Sequence, residues 1–392
     1  MYKILLNMLL YYILSVMPLL VCLLWAIMLF RNSKTNLPKR YLAFFLILSS
    51  LNYLVHASFF NYAYRLFAFL DNIWIFTSLA GYPLYYYYIR LLTHDLKINW
   101  RWSWILIPSI GLSIYSFFIY FITSPDDIQA YIHSVMYHEE GYAQPSPLLM
   151  NLETFKDKAF KVIFLLQIIL SVSFGYKLIS QYNKKLKDFY SNTKGKDLSS
   201  IKWLLFAFMF ASIISTISSQ IGKDFFINKG ALLAIPSVTH SLFLFFIGYV
   251  GFHQTFTITD FTNDLNSTDQ IDGRKDEDSA LSQTISKVQL NQLLEEKELF
   301  KNPELRISDI ALMLGTNRTY ISRIINETMQ INFFDWVNSY RITHAKKLMK
   351  SPYSNDLTLS EISEKSGFKS VSTFYRLFKE KEGIPPGEYR KM

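Results

Sequence analysis

The chain has 392 residues, of which 17 % are aromatic and only 18 % charged. That length gives room for about two or three domains, and that balance is unusual for a wholly soluble protein. The net charge is +9, from 40 Lys plus Arg against 31 Asp plus Glu, which suits anionic lipid or nucleic acid without choosing between them. A single cysteine, Cys22, excludes an internal disulfide and any cysteine-based zinc site.

Apolar residues concentrate before about residue 253 and charged ones after it. Residues 1–253 contain seven apolar stretches, at roughly 4–30, 41–60, 66–90, 102–122, 159–180, 203–221 and 231–252. Each is near the ~20 residues a helix needs to cross the hydrocarbon core. The first is too long for the apolar part of a signal peptide. It has only Lys3 before it and no small-residue cleavage site before Arg31, so a span is expected.

Lys and Arg in the short loops predict orientation. The first loop has Arg31, Lys34, Lys39 and Arg40, the third Arg90, Lys97 and Arg101. The fifth has Lys177, Lys184, Lys185, Lys187, Lys194, Lys196 and Lys202. The second has only Arg65, the sixth only Lys223 and Lys229. Odd loops are therefore expected in the cytoplasm, the N-terminus outside and, after seven spans, the C-terminus inside. The fourth loop, about 123–158, carries Asp126, Asp127, Glu139 and Glu140 and should face outward.

Polar residues within the spans gather toward the outer half: Asn52, His56, Asp71, Gln167, Ser218, Ser219, Gln220 and His240. Polar groups in hydrocarbon face a bundle interior or a cavity. Asn52, His56, Asp71, Gln167, Gln220 and His240 are candidates for a ligand pocket open to the outside; plain interhelical hydrogen bonding is the alternative. The Tyr85-to-Tyr88 run and Trp100, Trp102 and Trp104 fit an interfacial aromatic belt. The seventh span contains Pro236, which permits a bend, and His240 one turn later. As the only helix expected to join the C-terminal module, it is the expected carrier of a signal.

No catalytic or metal-binding pattern is present. His133, His138 and Glu139 lack the spacing of a helical zinc site, and there is no Gly-rich phosphate loop or kinase pattern. No enzyme activity, cofactor or metal is expected.

Residues 254–286 form an acidic linker, with Asp260, Asp264, Asp269, Asp272, Asp276, Glu277 and Asp278 among Ser, Thr and Asn. Such a segment cannot bury a core and should be flexible or only partly helical. Residues 287–392 then show soluble helical patterning, and one pattern occurs twice. Ile307-Ser308-Asp309-Ile310 and Leu314-Gly315 lie in one copy, Leu359-Ser360-Glu361-Ile362 and Ser366-Gly367 in the other. Amphipathic runs follow at Tyr320–Ile325 and Thr373–Phe378. Each copy predicts a Ser-started helix stopped by Gly, a tight turn and a second helix. A single copy would suit an ordinary αα-hairpin; two copies with Arg at the matching place favour helix-turn-helix units. A helix from about Phe333 to Met349 joins them.

This arrangement resembles the AraC/XylS family of bacterial transcription regulators over about residues 287–391. Arg341-Ile342 with Ala345 and Leu348 looks like the family's linker helix. Ile362, Gly367-Phe368, Ser370, Phe374, Arg376 and Phe378-Lys379 look like its second-unit signature, and Gly383, Pro386, Tyr389 and Arg390 like its terminal motif. Two departures are Gln330, where the family usually has Gly, and Ile325, where it usually has Phe.

The resemblance implies an all-helical domain whose two recognition helices meet major-groove faces about one turn, ~34 Å, apart. Its base-facing positions fall on Thr319, Ser322 and Arg323, and on Val371, Ser372, Tyr375 and Arg376. Arg can bridge guanine O6 and N7, Ser can meet several base edges, and Val can pack on a thymine methyl. Tyr375 also suits a half-core place, and both arginines suit solvated surface. Asn317, Arg318, Lys369, Ser370 and Lys379 are placed for phosphate. Ile310, Leu314, Ile321, Ile324, Ile362, Phe368, Phe374 and Phe378 are expected core. Lys plus Arg number 17 and Asp plus Glu 13 in residues 287–392, so the module is only mildly basic and specific contacts should carry much of its affinity.

The whole chain is thus expected to be all-α. It combines a seven-span membrane domain (1–253), the linker (254–286) and an AraC-type double helix-turn-helix domain (287–392). The expected function is a regulator anchored in the bacterial inner membrane, coupled to a small-molecule or peptide signal. Its expected partners are double-stranded DNA, the lipid bilayer, RNA polymerase and a second copy of the chain. A transporter or transport-coupled protein carrying a regulatory DNA-binding domain is the rival, although no convincing internal repeat supports it.

Overall fold

The computed structural model describes residues 2–34, 36–222, 224–227, 229–272, 285–351 and 356–392. Lys223, the later linker with Asp276, Glu277 and Asp278, and most of the break before the second helix-turn-helix lie outside them. The described residues are helical, with one isolated antiparallel bridge, Tyr190 to Arg306. They divide into two compact units: Met1–Ile179 with Leu198–Ile258, and Ser180–Asp197 with Thr259–Met392.

In the first unit, α1 (Tyr2–Arg31) packs against α2 (Leu37–Phe60) and α8 (Gly230–His253). α2 packs against α3 (Tyr64–Thr93), α3 against α4 (Ile107–Ile122), and α7 (Ser199–Ile221) against α8. A short α5 (Pro125–Ala130) and a π-helical turn (Tyr131–Met136) follow α4. α6 (Pro147–Phe189) is a single 43-residue helix. The Asn36 side chain caps α2 by accepting from the Lys39 N–H at 3.0 Å, and Pro38 lies in the first turn, where no N–H is needed. α8 approaches α1 closely: a Cβ on Gly248 would stand 2.2 Å from the Trp25 ring.

Six helical stretches among the described residues are long and apolar enough to cross a membrane: Leu9–Arg31, Leu37–Phe60, Trp100–Ile122, Pro147–Phe189, Ser199–Ile221 and Ala231–Asn266. The expected third span, within α3, is absent from this set. Its physical reason is burial. α3 encloses Asp71, Asn72, Thr77 and Arg90 within the unit, so its composition need not match lipid. The same burial corrects the aromatic belt. Tyr85, Tyr87 and Tyr88 are core residues, whereas Trp100 and Trp104 are exposed.

The second unit takes in two segments that the sequence assigned elsewhere. The end of α6 and residues 190–197 belong to it, and so does α9 (Ile258–Asp272) from Thr259 onward. The first half of the expected flexible linker is therefore a packed helix. Phe261 is buried, its ring 5.7 Å from Phe189, 6.0 Å from Tyr190 and 6.2 Å from Tyr182. Asp264 pairs with Arg306 at 3.0 Å and accepts from the Tyr190 hydroxyl. An aromatic anchor and a neutralised charge give this acidic stretch a reason to pack. α8, expected as the seventh span, is consequently not the only helix that runs into this unit, since α6 also does.

The rest of the unit comprises α10 (Lys287–Glu296), α11 (Ile307–Met313), α12 (Arg318–Arg323), α13 (Phe333–Met349), α14 (Leu359–Lys365), α15 (Val371–Glu382) and α16 (Pro386–Tyr389). Phe334, Ile342, Ala345 and Met349 of α13 share one core with Ile362, Phe368, Phe374, Leu377 and Phe378. That core fixes α14 and α15 on the joining helix.

Candidate nucleic-acid interface

Each helix-turn-helix unit is built from local caps and a left-handed turn. The Arg306 N–H donates to the Asp309 carboxylate at 2.8 Å, starting α11. The Thr358 N–H donates to Glu361 at 2.7 Å and the Glu361 N–H to Thr358 Oγ1 at 3.2 Å, starting α14. The capping positions are thus Arg306 and Thr358; Ser308 and Ser360 lie inside their helices, two residues past the cap. The acids at the third helical position explain the shift, because they take the free N–H groups themselves. Gly315 (φ +62°) and Gly367 (φ +85°) turn the chain between the paired helices.

The recognition helices follow. The Asn317 side chain accepts from the Tyr320 N–H at 2.8 Å and caps α12. The Ser370 hydroxyl accepts from the Thr373 N–H at 3.3 Å and caps α15. Two of the five expected phosphate residues, Asn317 and Ser370, therefore hold helix starts. Ile321 and Ile325 turn inward from the first helix, and Phe374, Leu377 and Phe378 from the second. α12 passes into a π-helical turn at Ile324–Thr328 instead of continuing as a regular helix.

With those apolar faces buried, Thr319 and Arg323 are exposed and Ser322 half-buried. Val371, Ser372, Tyr375 and Arg376 are all exposed. The Arg323 guanidinium lies 5.3 Å from the Tyr320 ring centre. Arg376 pairs with Glu380 at 3.2 Å on the open helix surface, a contact weak enough to exchange. Lys369 pairs with Glu304, Lys379 is exposed and Arg318 half-buried. The structure thus brings each expected base-facing set to one helix surface.

The joining helix carries a group whose role the sequence left open. Arg341, buried to 1 % exposure, donates Nε to Phe300 O at 2.8 Å and Nη2 to Asn302 O at 2.8 Å. Its Nη1 donates to Ser191 O at 3.0 Å and to Asn338 Oδ1 at 3.1 Å, and Nη2 also reaches Ser191 Oγ at 3.0 Å. Asn338 Nδ2 donates to the same Ser191 carbonyl at 3.1 Å. Burial pulls the Arg341 pKa down to about 9, opposed by the charge of Glu304, so the guanidinium keeps its proton at neutral pH. Tyr190 and Ser191 were missed in the sequence. Nothing in their polar surroundings signals a partner some 150 residues away; only the conspicuous Arg341 could have prompted a search for buried acceptors.

Residues 310–392 match the helix-turn-helix domain family of the AraC type. The uncharacterized HTH-type transcriptional regulator YtdP of Bacillus subtilis is 39 % identical over 88 residues, 22 % of this chain and 11 % of YtdP. The uncharacterized HTH-type transcriptional regulator YisR of the same organism is 36 % identical over 86 residues, 22 % of this chain and 29 % of YisR. The melibiose operon regulatory protein of Escherichia coli is 31 % identical over 88 residues, 22 % of this chain and 28 % of its own. The chain therefore spans between about a tenth and three tenths of these relatives. No solved structure matches the chain significantly. The C-terminal module is thus a helix-turn-helix domain similar to those of transcription regulators.

Five of the six expected ligand residues share one cavity in the structure. Asn52, His56, Asp71, Gln220 and His240 line one cavity of the first unit, together with Ser218 and Ser219. Gln167 does not; it is buried beside Ser109, to which it donates at 3.4 Å. Several of the others serve helix packing. Asn52 donates to Thr77 Oγ1 at 3.1 Å and Ser78 Oγ at 2.5 Å, and His56 accepts from the Trp74 indole at 3.1 Å. Both His240 nitrogens are bonded, to Pro236 O at 2.6 Å and Ser215 Oγ at 2.7 Å. Among the described residues no group of three or more His, Cys, Asp or Glu could hold a metal ion.

Proposed function

We propose that this protein is a membrane-anchored transcription regulator that reads double-stranded DNA through its two helix-turn-helix units. The observation that carries the proposal is the doubled recognition surface. Each unit buries an apolar face of its second helix, Ile321 and Ile325 in one and Phe374, Leu377 and Phe378 in the other, and leaves an arginine and small polar residues outward on that helix. Thr319, Ser322, Arg323, Val371, Ser372, Tyr375 and Arg376 read bases, and Arg318, Lys369 and Lys379 hold phosphate. Asn317 and Ser370 fix the helix starts against the backbone of the duplex. RNA polymerase and a second copy of the chain are further partners.

The first unit anchors the protein in the bacterial inner membrane. Support comes from six apolar helices and from large apolar side chains turned outward along them, including Leu20, Ile27, Phe30, Phe121 and Trp203. Such a surface in water would be an aggregation hazard. With α3 as a seventh span, the loop charges put the N-terminus outside and the helix-turn-helix domain in the cytoplasm. The membrane unit senses a small-molecule or peptide signal and passes it to the DNA-binding unit.

Selection of bound duplexes from a randomised library by the intact, solubilised protein tests the DNA proposal. Enrichment of a motif with two contacted segments about 10 bp apart is expected. Recovery of no motif, at any salt concentration that permits binding, would refute it.

A further inference from the structure

α3 presents Asp71, Trp74, Ile75, Ser78 and Tyr82 at intervals of three and four residues, so they share one face. All five line a cavity of about 580 Å³ within the first unit. Small-molecule pockets commonly measure about 300–1,000 Å³. Aromatic rings form much of the wall, with Trp74 stacked on Phe160 at 5.0 Å.

The charged part of the wall is unbalanced. Asp71, Glu153 and Lys156 are 5 %, 6 % and 5 % exposed. Lys156 Nζ holds Glu153 Oε2 at 2.6 Å but reaches Asp71 Oδ2 only at 3.9 Å. It also donates to Ser116 Oγ at 3.4 Å. Asp71 accepts no hydrogen bond among the described residues. The neighbouring pair, Asp157 and Lys161 at 2.8 Å, cancels itself. One ammonium thus faces two carboxylates, and a buried carboxylate without a close partner costs several kcal/mol by general experience. A cation entering the cavity removes that cost. Among the described residues no group of three or more His, Cys, Asp or Glu gathers here as a metal site would need.

We propose that this cavity binds a small organic cation, a primary ammonium on an aromatic body. The ammonium has three N–H donors; it takes the Asp71 carboxylate, and the body packs on Trp74 and Phe160. The site deepens the sensing half of the proposed function and rests on it for its biological purpose. Its test reads no DNA, so failure of the DNA proposal leaves it standing, and the reverse.

The probe is radiolabelled phenethylamine, and the protein is the intact chain in nanodiscs of phosphatidylcholine, with empty nanodiscs subtracted. Saturable one-to-one binding is expected, displaced by unlabelled phenethylamine and at least ten times less effectively by the neutral isostere 2-phenylethanol. Asp71→Asn should weaken binding at least tenfold. Lys156→Gln, which removes the competing ammonium, should tighten it at least threefold, an effect that misfolding cannot produce. Equal displacement by 2-phenylethanol, absence of saturable binding, or unchanged affinity in Asp71→Asn would overturn the proposal. So would a rise in melting temperature in Asp71→Asn with no amine binding to wild type. If Asp71→Asn does not fold, the isostere comparison and Lys156→Gln decide.

Discussion

Arg323 and Arg376 occupy equivalent places on two different helices, each exposed one helical turn beyond an exposed small or apolar neighbour. If both read guanine edges, each Arg→Ala change should lose about 1–3 kcal/mol and relax preference at a different base position. Lys379→Ala should weaken all sequences alike and reduce the salt slope by about one. Binding measured across a site library at two salt concentrations distinguishes these behaviours; two arginine variants that retain the wild-type preference would exclude base reading by them. Glycine makes a second residue-scale contrast. A Cβ on Gly367 would lie 2.3 Å from Phe300 O and 2.7 Å from Lys301 Cα, with φ already at +85°. Gly367→Ala should cost well over the ~1–2 kcal/mol of a left-handed alanine, read as a lowered denaturation midpoint. Gln330 sits at φ +55°, the position where the resemblance expects glycine. Gln330→Gly should therefore stabilise the fold by roughly 1 kcal/mol, seen as a raised denaturation midpoint. These positions were legible in the sequence because turn glycines and outward arginines act locally; the clash at Gly367 was not, because Phe300 arrives from a distant loop.

At the scale of elements, the repeated helix-turn-helix pattern was legible because period, turn and stop all lie within some twenty residues. The cap was misassigned within it, since Asp309 and Glu361 supply the capping groups from inside the helix. Glu361 yields a pH prediction. Hydrogen bonds from the Thr358 backbone and hydroxyl hold its pKa below the usual 4.5. Its folded value is depressed, so its contribution is complete above 4.5 and lost as pH falls through the lowered value. Acid titration of stability should show this loss, and Glu361→Gln should flatten that part of the curve; an unchanged curve would remove the capping role. The docked segment at Tyr190 and Ser191 was not legible, because its partners are far away in sequence and its residues follow no period. Arg341→Lys keeps the charge but cannot supply the planar fork of donors. It should destabilise the second unit by roughly 2–4 kcal/mol through carbonyls left without donors, measurable by denaturant titration of the intact protein.

For the whole molecule, composition separates an apolar stretch before about residue 253 from a more charged one after it, while the extent of the second unit was not legible. Two routes of chain enter that unit, through α6 into residues 180–197 and through α8 into α9. Both bear on the proposed topology. A cytoplasm-only reporter fused after Gly251 and an outside-only reporter inserted near Pro145 should both be active. The opposite result at either point would mean a missed or surplus span. The most direct test of the proposed function is genome-wide mapping of DNA bound by the intact protein in living cells, beside its Arg323→Ala and Arg376→Ala variants. The expected result is one motif with two contacted segments about 10 bp apart, one segment blurred in each variant and the other kept. Bound sites without a shared motif, or a motif unchanged in both variants, would contradict sequence-specific reading through these two helices.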